Sequence, residues 1–66
     1  MGEKLKELRH ERNLTLKQVS EYLGLTTKGY NFYELGLREP SIATLKKLCQ
    51  LYEVSADYLI GLTDDY

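Results

Sequence analysis

The sequence predicts an all-α fold, in which five short helices form one compact domain over residues 1–66. Three observations lead to this prediction. Apolar residues recur at helical spacing, and no stretch alternates apolar and polar residues with period two. Serine or threonine stands where most of these helices need an N-cap. Short linkers separate the helical segments, which is typical of a small helical domain.

The first two helices are defined by their end signals. Residues 2–12 form the first, and Asn13 ends it because asparagine tolerates left-handed backbone geometry. Thr15 is the predicted N-cap of the second helix, with Gln18 three residues later to complete a capping box. This helix ends at Gly24, a residue type common at helix C-termini.

The remaining three helices follow the same logic. Thr26 caps a third helix over about residues 27–35, which Gly36 ends. Ser41 caps a fourth helix and Ser55 caps a fifth. The residues expected to form the apolar faces of these helices are Tyr30, Tyr33, Ile42, Leu45, Leu48, Cys49, Tyr58 and Leu59, whereas the place of Leu62 is left open.

The composition excludes several classes of protein. One cysteine, Cys49, and one histidine, His10, cannot form a structural zinc site or an intramolecular disulfide. A chain this short leaves little room for a deep pocket, so we expect no enzymatic activity, cofactor, metal or small-molecule substrate. Neither a signal peptide nor a membrane-spanning stretch is present in the sequence, which favours a cytoplasmic protein.

The net charge of −1 hides an uneven distribution. Residues 1–38 hold seven Lys and Arg against five Asp and Glu, a balance of +2, whereas residues 39–66 hold two against five, a balance of −3. The basic groups therefore concentrate in the first part of the chain, but the asymmetry is small and solubility alone can account for it.

The middle of the chain carries a helix-turn-helix pattern over about residues 16–35. Two helices that cross at a steep angle need a small side chain at the crossing point, which Ser20 provides. The turn needs a residue at positive φ, and Gly24 adopts it without strain. Apolar residues bury the inner faces and leave the outer face of the third helix free; they are Val19, Leu23, Leu25, Tyr30 and Tyr33.

With this pattern the sequence resembles the lambda-repressor-like, or Xre-type, helix-turn-helix regulators of bacteria and phages. The resemblance implies five helices, the third of which lies in the major groove of double-stranded DNA. It also implies a homodimer that binds a two-fold symmetric operator as a transcriptional regulator, usually a repressor, in association with the nucleoid. The resemblance extends from Leu5 to about Gly61 and is carried by residues 14–19, 30–34, 36–41 and 54–61.

On this resemblance, exposed side chains at the start of the third helix meet base edges. Lys28 can donate to guanine, Thr27 can bond a base or a phosphate, and Phe32 can pack against a thymine methyl group. Asn31 lies where the family often reaches a base or the backbone, and Arg38 is expected to hold a phosphate. The expected DNA-binding residues are Thr15, Lys17, Thr27, Lys28, Gly29, Asn31, Phe32 and Arg38.

The resemblance also implies a structural ion pair and a dimer surface. In the family, the positions of Arg9 and Glu34 pair between the first helix and the end of the third. A carboxylate beside the core suits an arginine fork, so this pair is expected to fix the angle of the third helix. The C-terminal part is expected to form the dimer, with Tyr52, Tyr58, Leu59 and Leu62 as candidates.

Five positions depart from the family's usual pattern, and one of them is Gly29, which costs the third helix about 1 kcal/mol relative to alanine. Leu16, Phe32, Leu35 and Leu37 are apolar where polar or basic residues are common. An alternative therefore stays open, in which the same fold is a protein-interaction module, such as an antitoxin or anti-repressor, with little DNA binding.

Overall fold

Four of the five helices begin directly after a serine or threonine, as the sequence predicts. The computed structural model describes all residues from 1 to 66. The helices are α1 (Gly2–Glu11), α2 (Leu16–Leu23), α3 (Thr27–Glu34), α4 (Ile42–Tyr52) and α5 (Ala56–Ile60). No residue lies in a β-strand, and the prediction of an all-α, five-helix fold is confirmed. None of these helices is long and apolar enough to cross a membrane.

The helix starts are encoded locally by their caps. Thr15 Oγ1 accepts the Gln18 amide at 3.1 Å, and Gln18 Oε1 accepts the Thr15 amide at 2.8 Å, which completes the capping box. Thr26, Ser41 and Ser55 each accept the amide three residues ahead. Every cap therefore satisfies an amide that the first turn of a helix leaves without a partner.

The helix ends follow the sequence with small differences. Asn13 and Gly24 have positive φ, 54° and 72°, as their residue types predict. Glu53 also has a positive φ, 56°, which the sequence does not signal. The first helix ends one residue earlier than predicted because Arg12 is its C-cap, and Leu35 has the same role for α3.

Nine buried side chains form one core between the helices. Ile42, predicted to lie in it, is 75% exposed at the first position of α4, so that prediction is wrong. Leu45 and Cys49 are half-buried against the core instead of lying inside it. The core residues are Leu5, Leu8, Val19, Leu23, Tyr30, Leu48, Tyr52, Val54 and Leu59.

The predicted dimer residues separate into two groups. Tyr52 and Leu59 are 0% and 1% exposed, so their use in a dimer surface is excluded because both belong to the core. Tyr58 is half-buried, with Lys4 Nζ 4.5 Å from its ring centroid and Tyr66 packed edge-on against it. Leu62 is 74% exposed, and so it stays available for a partner.

Candidate nucleic-acid interface

The crossing of α2 and α3 depends on one small side chain. Ser20 is 2% exposed, and its hydroxyl donates to the Lys17 carbonyl oxygen at 2.9 Å. The same hydroxyl lies 3.4 Å from Thr27 Oγ1 at the start of α3. The backbone carbonyl oxygen of Ser20 also accepts the Leu25 amide across the turn at 2.9 Å. A bulkier residue here would separate the two helices, because close-packed interiors leave no room for extra atoms.

The inner side of α3 is tied to α1 by a buried ion pair. Arg9 Nε donates to Glu34 Oε2 at 2.7 Å, and Arg9 Nη2 donates to Glu34 Oε1 at 3.1 Å. Each residue is 9% exposed. Arg9 Nη1 also donates to the Leu14 carbonyl at 3.1 Å. The hydrogen bond to Glu34 raises the pKa of Arg9 despite the opposing effect of burial, so the guanidinium stays charged.

A second polar contact ties α3 to α4. The hydroxyls of Tyr30 and Tyr52 lie 2.8 Å apart, and both residues are 0% exposed. Burial is the main cause that raises the pKa of Tyr30, with its bond to Tyr52 second, and burial also raises the pKa of Tyr52. Sequence reasoning missed this pair, although Tyr52 lies four residues after Leu48, a helical spacing that places both on one face.

The outer side of α3 presents the predicted reading residues. Lys28 and Phe32 each lie two positions from Tyr30, about 200° around the helix, so they point away from the core. Lys28 is exposed and its Nζ lies 5.8 Å from the centroid of the half-buried Phe32 ring. Thr27 is exposed, and Asn31 is half-buried on the same side. The structure therefore places Lys28 and Phe32 on the outer face of α3, with Thr27 nearer α2, where its Oγ1 lies 3.4 Å from Ser20 Oγ.

Gly29 lies in the first turn of α3, beside its cap. Its amide donates to Thr26 Oγ1 at 3.0 Å. A Cβ atom at this position would lie 3.0 Å from the same oxygen, which is closer than side chains normally pack. Gly29 leaves the backbone of this turn uncovered.

The start of α2 offers unpaired donors. Thr15 and Lys17 are exposed, and the amides of Leu16 and Lys17 have no hydrogen-bond partner within the protein. The side-chain oxygen of Gln18 is already used in the capping box. Free amides at a helix N-terminus, where the helix dipole is positive, bind anions well.

A cleft between α1, α2 and α3 adds a residue that sequence reasoning missed. Lys6 lines this cleft together with Leu16 and Asn31, and it is exposed. Its position three residues before Arg9 places both on one face of α1, and this spacing was the available signal. Glu3 lines the same cleft with a negative charge, which partly offsets that of Lys6.

The loop after α3 holds Arg38 at the surface. The loop is joined to the helix because Gly36, at φ 75°, donates to the Tyr33 carbonyl at 3.2 Å and Leu37 donates to the Phe32 carbonyl at 2.9 Å. Arg38 is exposed, as are Leu35 at 61% and Leu37 at 68%. The end of α3 therefore presents apolar side chains beside a cation.

Comparison with known proteins identifies the family. The helix-turn-helix family model matches residues 5–59. The chain is 40% identical over 63 residues to the uncharacterised HTH-type transcriptional regulator YobD of Bacillus subtilis (strain 168), which covers 96% of the chain and 56% of YobD. It is 41% identical over 61 residues to the HTH-type transcriptional regulator ImmR of the same organism, which covers 92% of the chain and 48% of ImmR.

A phage protein is also similar. The chain is 33% identical over 58 residues to the cryptic phage CTXphi transcriptional repressor RstR of Vibrio cholerae, which covers 88% of the chain and 52% of RstR. The chain spans about half the length of the curated relatives it matches. It belongs to the helix-turn-helix family of lambda-repressor-like regulators, and the expectations of this family and of a non-enzymatic protein are confirmed.

Proposed function

We propose that residues 1–66 are a single DNA-binding domain of a transcriptional regulator of bacterial or phage type, acting as a repressor. One observation carries the proposal. Tyr30 and Glu34 hold α3 from the inside, while Lys28 and its neighbours project from the opposite side. A reading helix needs this combination, because its exposed side chains discriminate bases only when the helix itself is fixed.

Base reading is assigned to the outer face of α3 in the major groove. Lys28 donates to guanine O6 and N7, and Thr27 and Asn31 supply further polar contacts. Phe32 packs against a thymine methyl group. Gly29 exposes the backbone of the first turn, which allows the helix to approach the bases closely.

Phosphate binding is assigned to the residues around that face. The free amides of Leu16 and Lys17 at the start of α2 receive one phosphate, with Thr15 beside them. Arg38 holds a second phosphate from the loop after α3, and Lys6 a third from the cleft. These contacts fix the register of the domain on the duplex without reading its sequence.

Two copies of the chain are proposed to bind one operator, since a single helix of eight residues reads only a few base pairs. An apolar groove between α4 and α5 suits this contact, and it is lined by Leu45, Cys49 and Val54 beside the exposed Ile42. In a two-fold dimer the groove of one copy packs against the same groove of the other copy, so each copy covers Ile42 of its partner. The exposed Leu62 extends this apolar surface as a second candidate.

A DNA-binding regulator of this type works in the cytoplasm, in association with the nucleoid. The direct test is selection of bound duplexes from a random pool, followed by titration of the selected duplex at increasing salt. A regulator enriches a two-fold symmetric sequence. Its affinity falls steeply as salt rises, because binding releases cations condensed on the DNA and added salt makes this release less favourable. Failure to enrich any sequence would contradict the proposal.

The second candidate function is a protein-interaction module on the same fold. It is favoured by Leu35 and Leu37, which are 61% and 68% exposed at the end of α3. Large apolar groups so close together could seat a partner helix. This candidate predicts a stable complex with a protein and no enrichment of any duplex, so the same selection separates the two functions.

A further inference from the structure

The first turn of α1 lies directly against the last turn of α3. A methyl group on the Cα of Gly2 would lie 2.8 Å from the carbonyl oxygen of Tyr33 and closer still to that of Glu34. Real side chains do not pack at such distances, so only glycine fits here without a shift of one helix. Gly2 is therefore the point at which the backbones of α1 and α3 meet.

We infer that Gly2 is a positioning residue that sets the place of the reading helix relative to the rest of the domain. The inference rests on the proposed function, because it assigns to α3 the contact with bases. It concerns a different contact from the Arg9–Glu34 ion pair, which joins side chains, whereas Gly2 limits how closely the two backbones approach.

A side chain added at position 2 requires that the first turn of α1 and the last turn of α3 move apart. The first turn of α1 is held by Lys4, whose Nζ donates to the Tyr58 carbonyl at 2.8 Å and lies over its ring. Leu5, one residue further, is 0% exposed. The last turn of α3 is held by the Arg9–Glu34 ion pair, and it runs directly into exposed loop residues that begin at Leu35.

A shift of the last turn of α3 would displace both the residues proposed to contact bases and the residue proposed to contact a phosphate. Asn31 and Phe32 lie in the last two turns of α3, and Arg38 follows in the attached loop. The loop moves with the helix because Leu37 donates to the Phe32 carbonyl. Gly2 thus acts on the interface through α3 itself.

The test compares Gly2→Ala with His10→Ala, a control on the exposed side of the same helix. Both variants are studied well below their melting temperatures, which circular dichroism gives. The first readout needs no DNA: backbone amide NMR shifts of residues 31–37 should change in Gly2→Ala and stay unchanged in His10→Ala. If the first turn of α1 frayed instead and these shifts stayed unchanged, the inference would be overturned.

The second readout is discrimination between the selected operator and random duplex. For Gly2→Ala we expect this affinity ratio to fall by about tenfold, comparable with the loss of one base contact. An unchanged ratio alongside shifted amides would also overturn the inference, because α3 would then move without affecting reading. If the unaltered chain selects no operator, the proposed function fails, and the amide shifts alone still decide whether Gly2 positions α3.

Discussion

The hydroxyls of Tyr30 and Tyr52 lie 2.8 Å apart between α3 and α4, and neither residue is exposed to solvent. One hydroxyl donates to the other, and no buried side-chain nitrogen or oxygen atom in the protein lacks a hydrogen-bond partner. While both phenols are neutral, this buried pair strengthens the attachment of α3 to α4. Once either phenol ionises, the attachment becomes weaker.

The first prediction is a loss of stability in alkali. In the unfolded chain tyrosine ionises at about pH 10, whereas burial raises the pKa of both phenols in the folded state. The stabilisation is thus fully present below the unfolded pKa and is lost as the pH rises towards the folded pKa. We expect the free energy of unfolding to fall above about pH 10, by about 1.4 kcal/mol per pH unit for each buried tyrosine.

The control for this prediction is the double variant Tyr30→Phe/Tyr52→Phe, measured by chemical denaturation across the alkaline range. Removal of both hydroxyls together leaves no polar group unsatisfied, so stability at neutral pH should change little. The alkaline decline should become shallower in this variant. An identical decline in both proteins would show that other groups cause it.

The second prediction concerns the ion pair. Arg9→Ala leaves the Glu34 carboxylate buried without its partner, which should lower the free energy of unfolding by about 3–5 kcal/mol. Arg9→Lys keeps the charge but loses the two-pronged contact, so its loss should be intermediate. Thermal and urea denaturation measure both variants, and a melting temperature unaffected by Arg9→Ala would contradict the proposed structural role.

Local signals explain most of the agreement between sequence and structure. The four hydroxyl caps, Asn13 and Gly24 act through atoms within a few residues, so they can be read directly from the chain. Ile42 was misplaced because helical spacing alone does not tell how far the core extends past the first residue of α4. Tyr52 was misplaced because an aromatic residue suits a dimer surface as well as a core.

Contacts between distant segments account for the rest. The close approach of Gly2 to α3 joins residues more than thirty positions apart, and no local pattern indicates it. The Arg9–Glu34 pair is expected from the resemblance to a family and not from a local pattern, and the structure contains it. The cleft that adds Lys6 to the candidate interface likewise forms only when α1, α2 and α3 pack together.

The third prediction separates base reading from phosphate binding. Lys28→Ala should weaken operator binding by about 1–3 kcal/mol and relax the preference at one base pair. Arg38→Ala should weaken binding to every duplex alike and reduce the slope of log affinity against log salt by about one unit. Mobility-shift titrations on operator and random DNA measure both. Equal effects of the two variants on both duplexes would refute the assignment of Lys28 to a base.

The fourth prediction locates the dimer contact. Ile42→Glu places a charge in the apolar groove of the partner, so it should weaken operator binding while the folded monomer stays intact. Leu62→Glu tests the second candidate in the same way. Analytical ultracentrifugation of the complex with DNA gives the number of bound copies, and footprinting gives half-sites about one helical turn apart. A single asymmetric half-site protected at saturation would argue against a dimer.

The last prediction concerns the apolar surface at the end of α3. Leu35 and Leu37 are exposed, and Phe32 is half-buried beside Lys28. On DNA, we expect Phe32 to meet a thymine methyl group and the two leucines to pack against sugars. The nearby cations Lys28 and Arg38 suit a polyanion better than an apolar partner, which favours DNA at this surface.

Two variants test that interpretation in opposite directions. Phe32→Ala should remove the preference for a T·A pair at one position of the operator, because the methyl contact is lost. Leu37→Lys should tighten binding to any duplex at low salt by adding a phosphate contact, an effect that salt screens. Selection with each variant and titration over a range of salt give both results. Retention of DNA binding in Phe32→Ala together with loss of a protein complex would instead establish this surface as a site for a partner helix.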